Sequence, residues 1–118
     1  AGAKYMRFLA DRYFAGLNPL DQWLFSLAAY NAGPARVIKL RSEAAEKGYD
    51  RDSWFDDVEI IAAQRIGRET VSYVSNIYKY YIAYKLSKEK IDKIQEKAVT
   101  LAQIRPSLFG LAWAQDAD

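Results

Sequence analysis

Between Asn18-Pro19 and Gly33-Pro34 lies a segment, Leu20 to Tyr30, that is apolar nearly all the way round a helix. Trp23, Leu24, Phe25, Leu27, Ala28 and Ala29 crowd it and leave no continuous polar face. Such a helix is stable only when other elements surround it, so the chain must fold as a bundle with this segment near its middle. Its limits are marked by residue chemistry. Asn18 is suited to the N-cap, Pro19 to the first helical position and Asp21 to the first turn. At the other end, Gly33-Pro34 stops one helix and starts the next.

The rest of the chain carries the same three-and-four spacing. Tyr5, Phe8, Leu9 and Tyr13 predict an amphipathic helix ahead of Asn18. Pro34 to Lys47 predicts a more polar helix with Val37, Ile38, Ala44 and Ala45 inward, closed by Gly48. Tyr49 to Asp57 reads as a loop whose short turn holds Trp54 and Phe55, and the apolar piece Val58 to Ala63 precedes Gly67. A long helix is expected from Glu69 to about Leu86, with Val74, Ile77, Tyr78 and Tyr81 in one stripe widened by Tyr73, Tyr80 and Tyr84. Lys88 to Val99 then alternates charges around Ile91, Ile94 and Ala98, as a solvated helix does, and Leu108, Phe109, Leu111 and Trp113 are expected to dock somewhere. No stretch alternates like a strand. The fold class is all-α, divided into residues 1–86 and a helical tail, 87–118.

Composition narrows the chemistry. The 118 residues hold no His and no Cys, which excludes thiol and Ser-His nucleophiles, thiolate or imidazole zinc sites and disulfides; no metal is expected. A net charge of +2, with no segment that interleaves dense Lys/Arg with aromatics, argues against nucleic acid as a partner. No apolar run approaches the roughly 20 residues of a membrane span. The opening Ala1-Gly2-Ala3-Lys4 stands inside an apparent helix, the expectation for a processed or truncated piece.

One run combines polar chemistry with a sharp turn: Ala28-Ala29-Tyr30-Asn31-Ala32-Gly33-Pro34. It sets a Tyr-Asn pair at the end of the apolar helix, where Gly-Pro brings backbone close to whatever lies above. An Asn amide offers two donors and an acceptor, suited to a sugar's hydroxyl or N-acetyl group. Equally, Asn and Gly are ordinary helix terminators.

This run resembles the Ala-Ala-Tyr-Asn-Ala-Gly-Pro motif of the soluble type of lytic transglycosylases, in the lysozyme-like superfamily. Gly2-Ala3-Lys4-Tyr5-Met6-Arg7-Phe8-Leu9 resembles the family's upstream helix with its Gly-x-x-Tyr-Leu pattern, and Arg68-Glu69-Thr70-Val71-Ser72-Tyr73-Val74 its downstream Glu-Thr-x-x-Tyr-Val helix start. The resemblance covers about residues 2 to 84, and the long Arg41–Asp50 insert points to the membrane-bound F-type branch.

The resemblance implies the C-terminal portion of a lysozyme-like helical domain, acting on peptidoglycan glycan strands in the periplasm or cell envelope without a cofactor. Outer-membrane association would come through parts of the parent outside this sequence. In the family one glutamate serves as acid and base, in a Glu-Ser motif ahead of a Gly-Leu-Met-Gln segment. Neither motif occurs in these 118 residues. Carried onto this chain, Tyr30, Asn31 and Gly33 are the expected substrate-binding positions, with Glu69 and Tyr73 supporting catalysis one helical turn apart. Two alternatives stand beside this reading: a hydrolase resembling goose-type lysozyme, and a helical binding module whose tail is a partner surface.

Overall fold

The computed structural model describes the backbone of residues 2–117 and the side chains of residues 2–104. It contains α1 (Gly2–Tyr13), α2 (Pro19–Ala32), α3 (Pro34–Glu46), α4 (Glu59–Arg65) and α5 (Arg68–Ala117), with no strand among the described residues. The expected all-α architecture is the one observed, in keeping with part of a lysozyme-like helical domain. The chain divides into two compact units, residues 1–79 and 80–118.

The first unit is built round α2, where Leu24, Phe25, Ser26, Leu27, Ala28 and Ala29 are consecutive buried residues. Consecutive burial spans every side of the helix, as the apolar sequence requires. Leu9 and Phe14, Val37, Leu40 and Ala44, Trp54 and Val58, Ile61 and Ala62, and Val74 close around it from the other elements. The Phe14 ring stacks on Phe25 at 5.6 Å, and Trp54 meets Phe25 edge-on at 5.7 Å. Each such ring, fully buried, contributes about 1.5–3 kcal/mol by leaving water.

The start of α2 also locks the loop after α3. Asn18 Oδ1 accepts the Asp21 backbone N–H at 2.9 Å, and Asn18 Nδ2 donates to Asp21 Oδ2 at 2.8 Å. The other Asp21 oxygen accepts the Trp54 backbone N–H at 2.9 Å. One carboxylate therefore completes a helix cap and anchors a turn far along the chain. Arg41 holds the same loop from α3. Its guanidinium bonds the Arg51 carbonyl at 2.9 Å and Asp52 at 2.7 Å, and lies 5.1 Å over the Phe25 ring.

Trp54–Val58 is a turn rather than helix, with Phe55 extended (φ −64°, ψ 131°) and Asp56 left-handed (φ 63°, ψ 2°), the dihedrals of a type II turn. Asp57 accepts the Asp50 backbone N–H at 3.1 Å, and Glu59 accepts that of Asp56 at 3.2 Å. The Asp57 carboxylate thus closes a loop, and no side chain caps α4.

Three side-chain expectations are corrected. On α3 the inward residues are Val37, Leu40 and Ala44, while Ile38 and Ala45 face solvent. On α1 only Leu9 is buried; Tyr5 and Phe8 are exposed. On α5 the buried residues are Thr70 and Val74, flanked by half-buried Tyr73, Ile77 and Tyr78, whereas Tyr80, Tyr81 and Tyr84 are exposed. That helix also continues past Ser87 without a break. No Gly or Pro stands between Gly67 and Pro106, and Lys, Glu, Ile, Leu and Ala there all favour or tolerate helix. The Leu108–Trp113 group lies outside the described side chains.

Candidate functional site

The end of α2 and the first turns of α5 meet through two contacts. Thr70, buried on α5, donates its hydroxyl to Asn31 Oδ1 at 2.7 Å. One turn further along, the Tyr73 ring lies parallel to that of Tyr30, with centroids 6.5 Å apart and planes 9° apart. The four residues alternate in origin: 30 and 31 from α2, 70 and 73 from α5. The spacing i to i+3 on α5 puts Thr70 and Tyr73 on one face, so the helix addresses both neighbours of the Tyr-Asn pair at once.

This arrangement fixes chemistry as well as position. With its carbonyl oxygen taken by Thr70, the half-buried Asn31 amide has two N–H donors with no partner among the described residues. Burial pushes the Tyr73 phenol above the usual tyrosine range, and the neighbouring Tyr30 adds to the shift. Tyr73 is therefore an uncharged hydroxyl donor at any physiological pH. The aromatic wall extends onto α1, where Tyr5 tilts against Tyr30 at 5.9 Å and Phe8 stacks on Tyr5 at 6.2 Å. Tyr5, Phe8 and Tyr30 are all substantially exposed, so the wall faces solvent.

Asn31 stands within the last turn of α2, which ends at Ala32, and Gly33 is the residue that ends it. Gly33 adopts φ 95°, and its N–H bonds the Ala29 carbonyl at 2.8 Å. A Cβ there would meet nothing within 4 Å, so the backbone angle, rather than space, calls for glycine. Glu69 is exposed on the first turn of α5 and has no hydrogen-bond or ion-pair partner among the described residues. Of the five sequence-derived positions, then, Tyr30, Asn31 and Tyr73 are brought together; Gly33 shapes the turn beside them, and Glu69 is not bonded to them. Thr70 stands inside the Arg68–Val74 motif, whose sequence assigns it no task. Its signal was a hydroxyl at helical spacing from Tyr73. Tyr5, one of the apolar positions that predict α1, extends the wall instead of entering the core.

Among the described residues no carboxylate is hydrogen-bonded to Tyr30, Asn31, Thr70 or Tyr73, and no cluster of acidic residues could hold a metal ion. What the site offers is a stacked aromatic surface with oriented neutral donors at its edge. No helix among the described residues is long and apolar enough to cross a membrane.

No family model and no solved structure matches the chain. Curated relatives do. A protein named membrane-bound lytic murein transglycosylase F from Pseudomonas fluorescens strain Pf0-1 is 31% identical over 93 residues, which is 68% of this chain and 19% of the relative. Its namesake from Marinobacter nauticus is 33% identical over 93 residues, 68% of this chain and 18% of the relative. That from Vibrio campbellii is 27% identical over 124 residues, 92% of this chain and 23% of the relative. The chain spans about a fifth of the length of these relatives. On this similarity, and with the all-α fold expected of such a segment, the chain belongs to the lytic murein transglycosylase family.

Proposed function

We propose that the protein cleaves the glycan of peptidoglycan in the cell envelope, on the periplasmic side, at the bond between N-acetylmuramic acid and N-acetylglucosamine, and that Tyr30, Asn31 and Tyr73 line its glycan cleft. The observation that carries this is the Tyr30–Asn31–Thr70–Tyr73 cluster, held by the 2.7 Å bond and the ring stack. Sugar rings present alternating apolar faces and polar edges, and the cluster pairs a flat aromatic surface with amide and phenol donors in the matching order. The names of the relatives point the same way.

In this reading residues 1–86 are the C-terminal part of the catalytic domain and 87–118 its helical tail. The proton-transferring glutamate belongs to a segment outside these 118 residues. It gives its proton to the glycosidic oxygen as the bond to the muramic C1 breaks. As a carboxylate it then takes the proton of the muramic C6 hydroxyl while O6 bonds to C1. The product is a 1,6-anhydro end, and no water is consumed. The role of the chain's own residues is to hold the saccharide: Asn31 donates from its amide, Tyr73 from its neutral phenol, and Tyr30 supplies a ring face. Glu69, exposed on the first turn of α5, supports that work and does not replace the acid.

Mass spectrometry of products released from purified glycan strands by the full-length protein tests the proposal. Anhydromuramic ends are expected; reducing ends would mean that water attacked, and the hydrolase alternative would hold. The 118-residue chain alone is expected to release no muropeptides, because a general acid–base contribution of about 10²–10⁴ is missing. Anhydro products from it would place the acid within this chain, at Glu69.

A further inference from the structure

The second unit carries an apolar seam that is open to solvent among the described residues. Tyr80, Tyr84, Ser87, Ile91, Ile94, Ala98 and Leu101 follow one another at alternating steps of four and three along α5. That is a period of 3.5, the spacing that keeps one stripe of a helix facing a partner helix over its whole length. The large members are open to solvent: Ile91 is 53% exposed, Ile94 58% and Leu101 65%. Isolated exposed leucines and isoleucines are ordinary, but a seam in strict register over three heptads is not.

The charges beside the seam have one sign. Counting Tyr84, Ile91 and Ala98 as the a positions and Ser87, Ile94 and Leu101 as the d positions, the flanking e and g positions include Lys88, Lys90 and Lys97 and no acid. The acids of this stretch, Glu89, Asp92 and Glu96, fall on the outer positions, away from the seam. In a coiled coil the e and g side chains choose the partner, because they face their counterparts across the joint.

We propose that residues 80–101 form a docking seam for a partner helix with an apolar stripe flanked by Glu or Asp. Charge complementarity selects that occupant over a second copy of the chain, which would gather six lysines along one joint with no acid opposite. It selects it over a bilayer surface as well. The stripe is interrupted by Ser87 and Ala98, and the exposed Leu86 and Val99 lie off it, so they do not join it into the broad apolar face that helices in a membrane interface present.

The test uses the 118-residue chain and two designed helical peptides, both with Ile and Leu at a and d. One carries Glu at every e and g position, and its twin carries Lys. Fluorescence anisotropy of the labelled peptides at low salt should give at least ten-fold tighter binding of the acidic peptide. Lys88→Glu, Lys90→Glu and Lys97→Glu together should reverse the preference. Ile91→Asp with Ile94→Asp should abolish binding of the acidic peptide while the melt of the first unit stays unchanged, since these side chains are exposed. Equal affinity for both peptides, or a preference that survives the charge reversal, overturns the proposal. So does acidic-peptide binding that persists without the isoleucines, which would be attraction to surface lysines only. Light scattering that gives a dimer mass for the chain alone would assign the seam to self-association. Capture by phosphatidylcholine–phosphatidylglycerol vesicles in preference to the acidic peptide would assign it to lipid.

Discussion

Phe25 and Ile94 sit in segments that look alike as text: helical, with apolar residues every three or four positions. In the folded chain Phe25 is fully buried between Phe14, Trp54 and the Arg41 guanidinium, while Ile94 is 58% exposed. The difference comes from closure. The first unit has breaks at Gly16, Gly33, Gly48 and Gly67 that turn the chain back on itself, so its stripes face one another. The second has no such break among its described residues, and its stripe stays exposed. A hydrophobic pattern states that a face wants cover; only the chain reversals decide whether the chain itself supplies it.

The sharpest way to break this comparison is to truncate the same kind of side chain on both sides. Phe25→Ala should destabilise the first unit by about 3–5 kcal/mol, and Leu27→Ala by about 2–5 kcal/mol, because each leaves a cavity among packed neighbours. Ile94→Ala should stay within about 0.5 kcal/mol, as exposed substitutions do. Urea unfolding followed by tryptophan fluorescence gives all three values. A large loss for Ile94→Ala would mean that its stripe is covered after all. Trp23, half-buried against Tyr78, should tolerate truncation better than Phe25.

A smaller effect tests the reversals themselves. Asp21→Ala removes the acceptor for the Trp54 N–H and one partner of Asn18, and should cost about 1–3 kcal/mol. Thermal melts with the same sensitivity as the parent's would show that the loop is held without it. Smaller again is an alkaline effect at the joint of α2 and α5. The folded state raises the Tyr73 pKa above its ordinary 10.0, so the unfolded chain loses that proton first. Stability from this group is complete below about pH 10 and is lost as pH rises through the folded value. Tyr73→Phe should therefore flatten the fall in melting temperature between about pH 9 and 11. Identical slopes would remove Tyr73 from the half-buried site.

Much of the first unit was legible because its signals are local. Asn18-Pro19, Gly33-Pro34 and Gly67 each end or begin an element through backbone chemistry that needs no tertiary knowledge. The long-range devices were not legible. Asp21 could be read as an N-terminal acid, but nothing near it says that it also holds Trp54. Ile38 and Leu40 look equally fit to face inward on α3, and only the position of α4 and the turn selects Leu40. The Tyr-Asn pair was visible as a motif, whereas Thr70 became meaningful only when two distant helices placed it against Asn31. Tyr80 and Tyr84 share the spacing of Tyr73 but lie beyond the last neighbour of the core.

The central claim is that the joint between α2 and α5 holds a saccharide. Asn31→Asp tests it most directly, because the new side chain keeps an oxygen for Thr70 and loses both N–H donors; Tyr73→Phe likewise deletes one hydroxyl and keeps the ring. With the full-length protein acting on purified glycan strands, each variant should lower kcat/KM roughly ten-fold, the worth of one or two neutral hydrogen bonds, with the melting temperature unchanged. Parental turnover by both variants on an intact fold would contradict the account and leave the cluster as a structural clasp.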